Sequence, residues 1–159
     1  MLDFREILVS QAPPDFLDQA TDVINRANAA RVRIFSGLRL EENMLALEYP
    51  NSLLVIGSEA GVAIATMACE TSGVALKVEL VAVVPEAKGR LIAAKILERA
   101  DQIAAQRELT SLLIEVVDIG GLIAYYEKLG FVEDSRVTKP QGYWDSSMPF
   151  DLVTMSRPM

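Results

Sequence analysis

The sequence predicts a mixed α/β fold in a single domain that spans residues 1–159. A chain of this length with 51% hydrophobic residues has enough apolar material for one compact core. Segments with strand character alternate along it with amphipathic helical segments, and no repeat or long linker divides them. The order includes one strand–helix–strand crossover near its centre.

The first third of the chain predicts one strand and two helices. Residues 4–9 have strand character. The sequence Pro13-Pro14-Asp15 then predicts a helix with Asp15 as its N-cap, and the apolar residues that follow fall on one face. A second helix is predicted over about residues 40–48, before Pro50.

The rest of the chain predicts six strands and two more helices. The predicted strands cover residues 53–56, 62–69, 77–84, 112–117, 131–138 and 150–156. The strand at 112–117 is almost continuously apolar, which predicts burial on both of its sides. A long helix is predicted over about residues 89–107, and a short one over 122–129 that Gly130 ends.

Composition excludes several classes of function. The formal net charge of −7 argues against binding to the phosphate backbone of a nucleic acid. The chain contains no histidine, which excludes Ser-His and Cys-His catalysis, and Cys69 is its only cysteine. No apolar run is long enough to span a bilayer, and the N-terminus lacks the pattern of a signal peptide. We therefore expect a cytoplasmic protein that requires no metal and has neither a membrane nor a nucleic acid as partner.

The segment VAVVPEAKGRLIA, residues 81–93, joins a predicted strand to the longest predicted helix. The first amides of a helix lack partners within it, and the helix dipole adds partial positive charge there. A pyrophosphate is a natural ligand for such a turn, and Lys88 and Arg90 would add cationic side chains. The alternative is an ordinary strand-to-helix turn with two solvated basic residues.

A second motif, YYEKLGF at residues 125–131, follows after the crossover strand. Together the two segments resemble the GNAT acetyltransferase superfamily. In that family a Val-Pro-Glu turn leads into a Gln/Arg-x-x-Gly-x-Gly/Ala loop, and an aromatic-Tyr-x-x-x-Gly-Phe segment comes later. The resemblance extends over essentially the whole chain. It implies the GNAT acyl-CoA N-acyltransferase fold, in which helices flank a central, mostly antiparallel sheet.

The resemblance also implies an activity and a cosubstrate. The enzyme would transfer an acetyl group from acetyl-CoA to a primary amine of a small molecule or peptide. The backbone of Val81, Ala82 and Val83 would pair with the pantetheine arm as an added strand. The phosphate turn, residues 85–93, would hold the pyrophosphate through the amides of Lys88, Gly89, Arg90, Leu91, Ile92 and Ala93. A homodimer is implied by family habit only.

Three positions depart from the family pattern. Lys88 replaces Gln or Arg, and the positive charge is retained if it substitutes for Arg. Leu91 stands where the family has the first loop glycine, which lets the backbone approach the phosphates closely. Leu91 would be tolerated if the turn is already helical there, and would otherwise weaken CoA binding. Asp118 stands where the family often has Asn, and a turn-forming Asp is the alternative.

Tyr126 is the candidate general acid. It matches the tyrosine that in many members of the family protonates the departing thiolate. The alternative is a core aromatic residue at helical spacing, which is the interpretation we prefer for Tyr125. Cys69 has no histidine partner and is expected to be buried in a strand.

Glu79 is the candidate general base. It precedes the pantetheine-binding residues on their strand, where several members of the family carry the base. The alternative is a partly exposed residue paired with Lys77, and Glu115 is the second candidate base. In the absence of a bulge, period-2 alternation predicts that four side chains share one face: Lys77, Glu79, Val81 and Val83.

The connection between the last two predicted strands is the candidate acceptor site, because in this family it commonly borders the acceptor pocket. Tyr143, Trp144 and Asp145 would form an aromatic and acidic wall suited to a cationic amine. The alternative is an exposed turn with one anchoring Trp.

For the whole chain, the second hypothesis is a non-catalytic CoA-binding or interaction domain with the same fold, which Leu91 favours.

Overall fold

The computed structural model describes residues 1–29, 34–35 and 39–159. The strands in these ranges are β1 Asp3–Leu8, β2 Leu53–Glu59, β3 Val62–Ser72, β4 Ala75–Val83, β5 Ser111–Val117, β6 Val132–Lys139 and β7 Phe150–Pro158. The helices are α1 Pro14–Ala29, α2 Met44–Glu48, α3 Ile92–Gln106 and α4 Leu122–Lys128.

All seven strands form one sheet in the order β1-β2-β3-β4-β5-β7-β6. Neighbouring strands are antiparallel except β4 and β5, which are parallel and are connected through α3. A parallel pair requires such a crossover, because the chain must return to the same end of the sheet. The predicted mixed α/β fold, with a mostly antiparallel sheet flanked by helices, is confirmed.

The helices cover both faces of the sheet. Arg5 of β1 donates a 2.8 Å hydrogen bond to Gln19 of α1, whereas the next residue, Glu6, pairs with Arg99 of α3. Because successive strand residues point to opposite faces, α1 and α3 lie on opposite sides of the sheet. Arg157 of β7 bonds both to α3 and to the end of α4, so α4 lies on the side of α3.

The core lies between the sheet and the apolar stripes of the two long helices. The buried residues of α1 are Ala20, Val23, Ile24 and Ala27, and those of α3 are Ile92, Ile96, Leu97, Ala100, Ile103 and Ala104. Both stripes have the helical spacing that the sequence predicts. No helix in the described part of the chain combines the length and apolar character that crossing a membrane requires.

Two predictions about the helices in the first third of the chain were wrong. Helix α1 begins at Pro14, so Asp15 lies in its first turn and is not the N-cap; proline suits the first helical position because its φ is already fixed there. Helix α2 begins at Met44, not near residue 40. The amide of Leu40 instead donates to the Asn25 side chain at 2.8 Å, which holds this residue in a loop against α1.

The predicted burial of β5 on both sides was also wrong. Leu112, Ile114 and Val116 are buried, but Glu115 is exposed and its apolar neighbours on that face are only partly buried. The exposed face is the one that carries α1 elsewhere in the sheet. Among the described residues, no helix covers this face beside β5, and the face is partly open to solvent there.

Candidate active site

Strands β4 and β5 separate to form a fork at the centre of the sheet. Their last parallel pair is Val78 with Ile114, although β4 continues to Val83 and β5 to Val117. Beyond Val78, no strand in the described residues pairs with the edge of β4 that faces β5. The backbone of Val81, Ala82 and Val83 lies on this stretch, where an extended ligand can add as a strand.

A bulge in β4 changes the direction of the side chains at the fork. Ala68 of β3 pairs with Glu79 and Thr66 pairs with Ala82, so that Leu80 and Val81 together oppose one residue of β3. Leu80 has a φ of +54°, and its carbonyl accepts a 2.9 Å hydrogen bond from the buried Thr66 hydroxyl. An extra residue of this kind shifts the alternation by one position.

The bulge overturns the expected common face. Lys77 and Glu79 point to the side of α1, whereas Val83 pairs with Ala65 and points to the side of α3, as does Val81. The side chains of Val81 and Val83 therefore lie on the opposite side of the sheet from the predicted base, and of the pantetheine-binding residues only Ala82 points to the same side as Glu79.

The candidate bases meet at the point where the fork begins. The ammonium group of Lys77 lies 2.8 Å from Glu115 Oε1 and 3.3 Å from Glu79 Oε1. The hydrogen bond to Glu115, with a further contribution from Glu79, raises the pKa of Lys77. The Glu79 side chain is 31% exposed, so it is reachable from solvent as a base and is also paired with Lys77. Both interpretations of Glu79 fit this geometry.

Tyr126 lies in α4, which follows the end of β5. The residue is 8% exposed, and its ring packs edge-to-face against Phe131 at 5.8 Å and Tyr125 at 5.4 Å between centroids. Two left-handed glycines, Gly120 and Gly121, make the turn that starts the helix. Tyr126 is thus a buried aromatic residue on an element that begins at the open end of the fork, on the side of α3.

The phosphate turn is not helical where the sequence predicts the start of the long helix. Gly89 and Leu91 have left-handed φ angles of +78° and +60°, and α3 begins only at Ile92. The suggestion that a helical turn accommodates Leu91 is therefore wrong, because Leu91 adopts a conformation that favours glycine. Its side chain is 73% exposed and extends away from the core. Residues 88–91 are exposed, ahead of the buried Ile92, but the Lys88 amide already donates a 3.3 Å hydrogen bond to the Pro85 carbonyl.

Ion pairs join the phosphate turn to two other parts of the fold. Arg90 donates to Glu59 at the end of β2, and Arg26 of α1 donates to Glu86 at 2.6 Å. These hydrogen bonds raise the pKa of both guanidinium groups and lower the pKa of both carboxyl groups. Lys88 is exposed and has no ion pair within the described residues. Sequence reasoning missed Glu59 and Arg26, because both lie far from the turn in the chain and carry no local signal.

A groove of about 320 Å³ adjoins the turn along the outer side of α3. Leu91 and Lys95 lie at its near end, and Leu129 and Arg157 close it from the side of α4. Its lining is mostly apolar, with Asp101 at the far end, where Arg157 binds the carboxylate at 2.6 Å.

The predicted acceptor residues form an aromatic cluster before β7. Trp144 stacks on Phe150 with 5.8 Å between centroids, and Tyr143 packs on both rings. Trp144 is 53% exposed, and both Trp144 and Asp145 have left-handed φ angles, of +51° and +58°. The ammonium group of Lys139 lies 4.7 Å from the centroid of the Tyr143 ring, so this ring already holds a cation.

The topology places these segments at one end of the sheet, beyond the carboxyl ends of its two central strands. The fork opens towards the carboxyl ends of β4 and β5, which lead into the phosphate turn and α4. Val117 at the end of β5 pairs with Leu152 near the start of β7, so the aromatic cluster before β7 lies at the same end. Asp118 does not extend the site on its own, because its carboxylate accepts a 2.9 Å hydrogen bond from Arg136 of β6.

Comparisons with known proteins agree with this architecture. A family model described as the Acetyltransferase (GNAT) family matches residues 3–131. No curated protein matches the chain by sequence.

Solved acetyltransferase structures share the fold. An IAA acetyltransferase from Bacillus cereus is 16% identical over 100% of both chains, with a TM-score of 0.74. The ribosomal-protein-S18-alanine N-acetyltransferase from Escherichia coli is 19% identical over 99% of this chain and 94% of its own, with a TM-score of 0.76. A GNAT family acetyltransferase from Elizabethkingia anophelis with acetyl-CoA bound is 12% identical over 99% and 98% of the two chains, with a TM-score of 0.72.

Proposed function

The chain belongs to the GNAT acetyltransferase family, and on that premise we propose that it transfers an acetyl group from acetyl-CoA to a primary amine within a ternary complex. The observation that carries the proposal is the fork between β4 and β5: within the described residues, no strand pairs with residues 79–83 on the edge of β4 that faces β5. The similar structure with acetyl-CoA bound supports this choice of cosubstrate.

Acetyl-CoA would bind by adding to the sheet. The pantetheine arm is extended and carries amides, so it can pair with the free edge of β4 at Val81 and Val83. The pyrophosphate would then meet the amides of the exposed residues 89–91 and the dipole of α3. The groove beside Leu91 and Lys95 adjoins this position and is large enough for part of the nucleotide.

The transfer itself requires one proton to leave the amine and one to reach the thiolate. The neutral nitrogen attacks the thioester carbonyl carbon, a strand amide near Val81 or Val83 polarises the carbonyl oxygen, and the carbon–sulfur bond then breaks. Glu79 accepts the proton of the amine, directly or through water, and the Tyr126 hydroxyl protonates the departing thiolate. A carboxylate and a phenol thus perform the acid–base chemistry in a chain without histidine.

The amine would approach between the open face beside β5 and the aromatic cluster. Glu79 and Glu115 give that face acidic side chains, and Trp144 offers an exposed ring to a cation. A primary amine that is protonated in solution suits both features, and it would release one proton to solvent before the neutral nitrogen attacks.

The competing proposal is a CoA-binding domain of the same fold without catalysis, which the left-handed Leu91 and the paired Arg90 favour. Calorimetry with acetyl-CoA tests the first step, and absence of binding at millimolar ligand would contradict both proposals. If acetyl-CoA binds, thiol release is measured with small amines, polyamines and peptides as acceptors. Release above the rate of spontaneous hydrolysis supports the enzyme, and binding without release from any acceptor supports the non-catalytic domain.

A further inference from the structure

Two of the charged side chains of the phosphate turn already have partners of opposite charge. Arg90 donates through Nη2 to the Glu59 carboxylate, and Glu86 accepts from Arg26 at 2.6 Å. In the described structure, Lys88 is the one basic residue of the turn without such a partner. A pyrophosphate that reaches the turn therefore meets an arginine whose charge is neutralised.

The contact between Arg90 and Glu59 neutralises the guanidinium group more than it orients it. Arg99, by comparison, binds Glu6 through both Nε and Nη2, a bidentate arrangement that fixes the plane of the guanidinium. Arg90 contacts Glu59 through Nη2, and the two side chains are 48% and 30% exposed. An exposed pair of this kind is weak, so another anion can replace the carboxylate by side-chain rotation alone.

A phosphate competes well for such a group. A guanidinium binds phosphate oxygens in the same forked geometry as a carboxylate, and the pyrophosphate of CoA carries more than one negative charge. The pyrophosphate would also gain the amides of the turn, which Glu59 on its separate hairpin does not contact in the described structure.

We propose that Glu59 is an internal competitor for Arg90 and thereby sets the affinity of the phosphate turn for the pyrophosphate of CoA. This inference rests on the proposed function. In the unliganded protein Glu59 holds the guanidinium, and on binding the pyrophosphate takes its place and leaves Glu59 in solvent. A glutamate is ionised at neutral pH, so Glu59 competes there, and Arg90 lowers the pKa of its carboxyl group further.

Calorimetric titration of acetyl-CoA into the wild type and Glu59→Gln tests this role. We expect Glu59→Gln to lower the dissociation constant about two- to fivefold, the range that the loss of an exposed ion pair allows. Glu133→Gln is the matched control, because Glu133 also pairs with an arginine, Arg136, but lies on β6 with four strands between it and β2. The control should bind acetyl-CoA as the wild type does.

Two further titrations separate competition for Arg90 from a general effect of charge. In an Arg90→Gln background, Glu59→Gln should give no gain, since the group for which Glu59 competes is absent. Pantetheine, which lacks the pyrophosphate, should bind the wild type and Glu59→Gln equally. Circular dichroism and thermal unfolding verify that each variant is folded.

The outcomes distinguish this inference from the proposed function. If Glu59→Gln binds acetyl-CoA no more tightly than the wild type, the competitor role is wrong while CoA binding stands. A gain that persists in the Arg90→Gln background also overturns it, because charge alone would then explain the result. If neither the wild type nor any variant binds, the proposed function and this inference both fail.

Discussion

The ammonium group of Lys77 on β4 lies 2.8 Å from the Glu115 carboxylate on β5, at the point where these two parallel strands separate. This ion pair closes the base of the fork. The same ammonium group is 3.3 Å from Glu79, so the two candidate bases compete for one cation and Glu115 holds it at the shorter distance. The shorter contact engages Glu115 more closely than Glu79, which favours Glu79 for proton transfer.

Glu79→Gln is therefore expected to lower turnover about a hundredfold, within the range for removal of a general base, and Glu115→Gln to lower it much less. Turnover is measured as thiol release at saturating acetyl-CoA with an acceptor from the amine screen. Both variants remove the same charge from the same face, so each controls for the other. A greater loss in Glu115→Gln would transfer the role of base to Glu115.

Tyr126→Phe is expected to reduce turnover at least tenfold and leave the dissociation constant of acetyl-CoA unchanged, because the phenol acts only when the thiolate departs. Tyr125→Phe removes a hydroxyl from the neighbouring residue of the same helix and should retain full turnover. An unchanged rate in Tyr126→Phe would leave the residue a structural role, which includes its packing against Phe131 and Tyr125.

Leu91→Gly is expected to stabilise the protein by about 1 kcal/mol, because a left-handed conformation is unfavourable for a residue with a Cβ atom and the exposed side chain loses little burial. It should also tighten acetyl-CoA binding, since the backbone can then approach the phosphates more closely. Urea unfolding and calorimetry measure the two effects. Leu91→Ala keeps the Cβ atom and should give neither gain, so equal behaviour of the Gly and Ala variants would contradict the strain argument.

The order and type of the elements could be predicted from the sequence because each depends on local periodicity. The apolar stripes of α1 and α3 and the parallel crossover at β4 and β5 were readable from residue spacing alone. The start of α3 was not, because leucine is a good helix former and its propensity gives no sign of the left-handed turn at Leu91.

Long-range features of the candidate site could not be predicted. The bulge at Leu80 depends on the register between β3 and β4, and it reverses the faces of Val81 and Val83 without any local signal in their sequence. The pair between Arg90 and Glu59 joins residues that are 31 positions apart. The proposed roles of Glu79, Tyr126, Tyr143 and Trp144 came from resemblance to a family, and they stay predictions.

Cys69 makes stability depend on pH in the alkaline range. Burial raises the pKa of its thiol from 9.0 to about 12, so between these values the unfolded chain loses a proton that the folded protein keeps. The contribution of the thiol to the free energy of unfolding is fully present below about pH 9. Above this pH it falls by up to about 1.4 kcal/mol per pH unit. Urea unfolding at pH 7 to 10.5 measures the free energy of unfolding of the wild type and of Cys69→Ala. The difference between these two free energies should narrow above pH 9. A constant difference would mean that the thiol ionises in the folded state.

Trp144 is the only tryptophan of the chain, so its fluorescence reports directly on the candidate acceptor site. Trp144 has an unfavourable left-handed φ of +51° and is 53% exposed to solvent. Strained backbone conformations of this kind cluster at sites where proteins bind ligands. An acceptor amine added to the acetyl-CoA complex is expected to change the emission.

Trp144→Ala should raise KM for that amine about three- to tenfold, as loss of a cation–π contact predicts, with acetyl-CoA affinity unchanged. Met148→Ala is the control, because Met148 is similarly exposed in the same connection. If both variants keep the wild-type KM, Trp144 anchors a turn and the amine is recognised elsewhere.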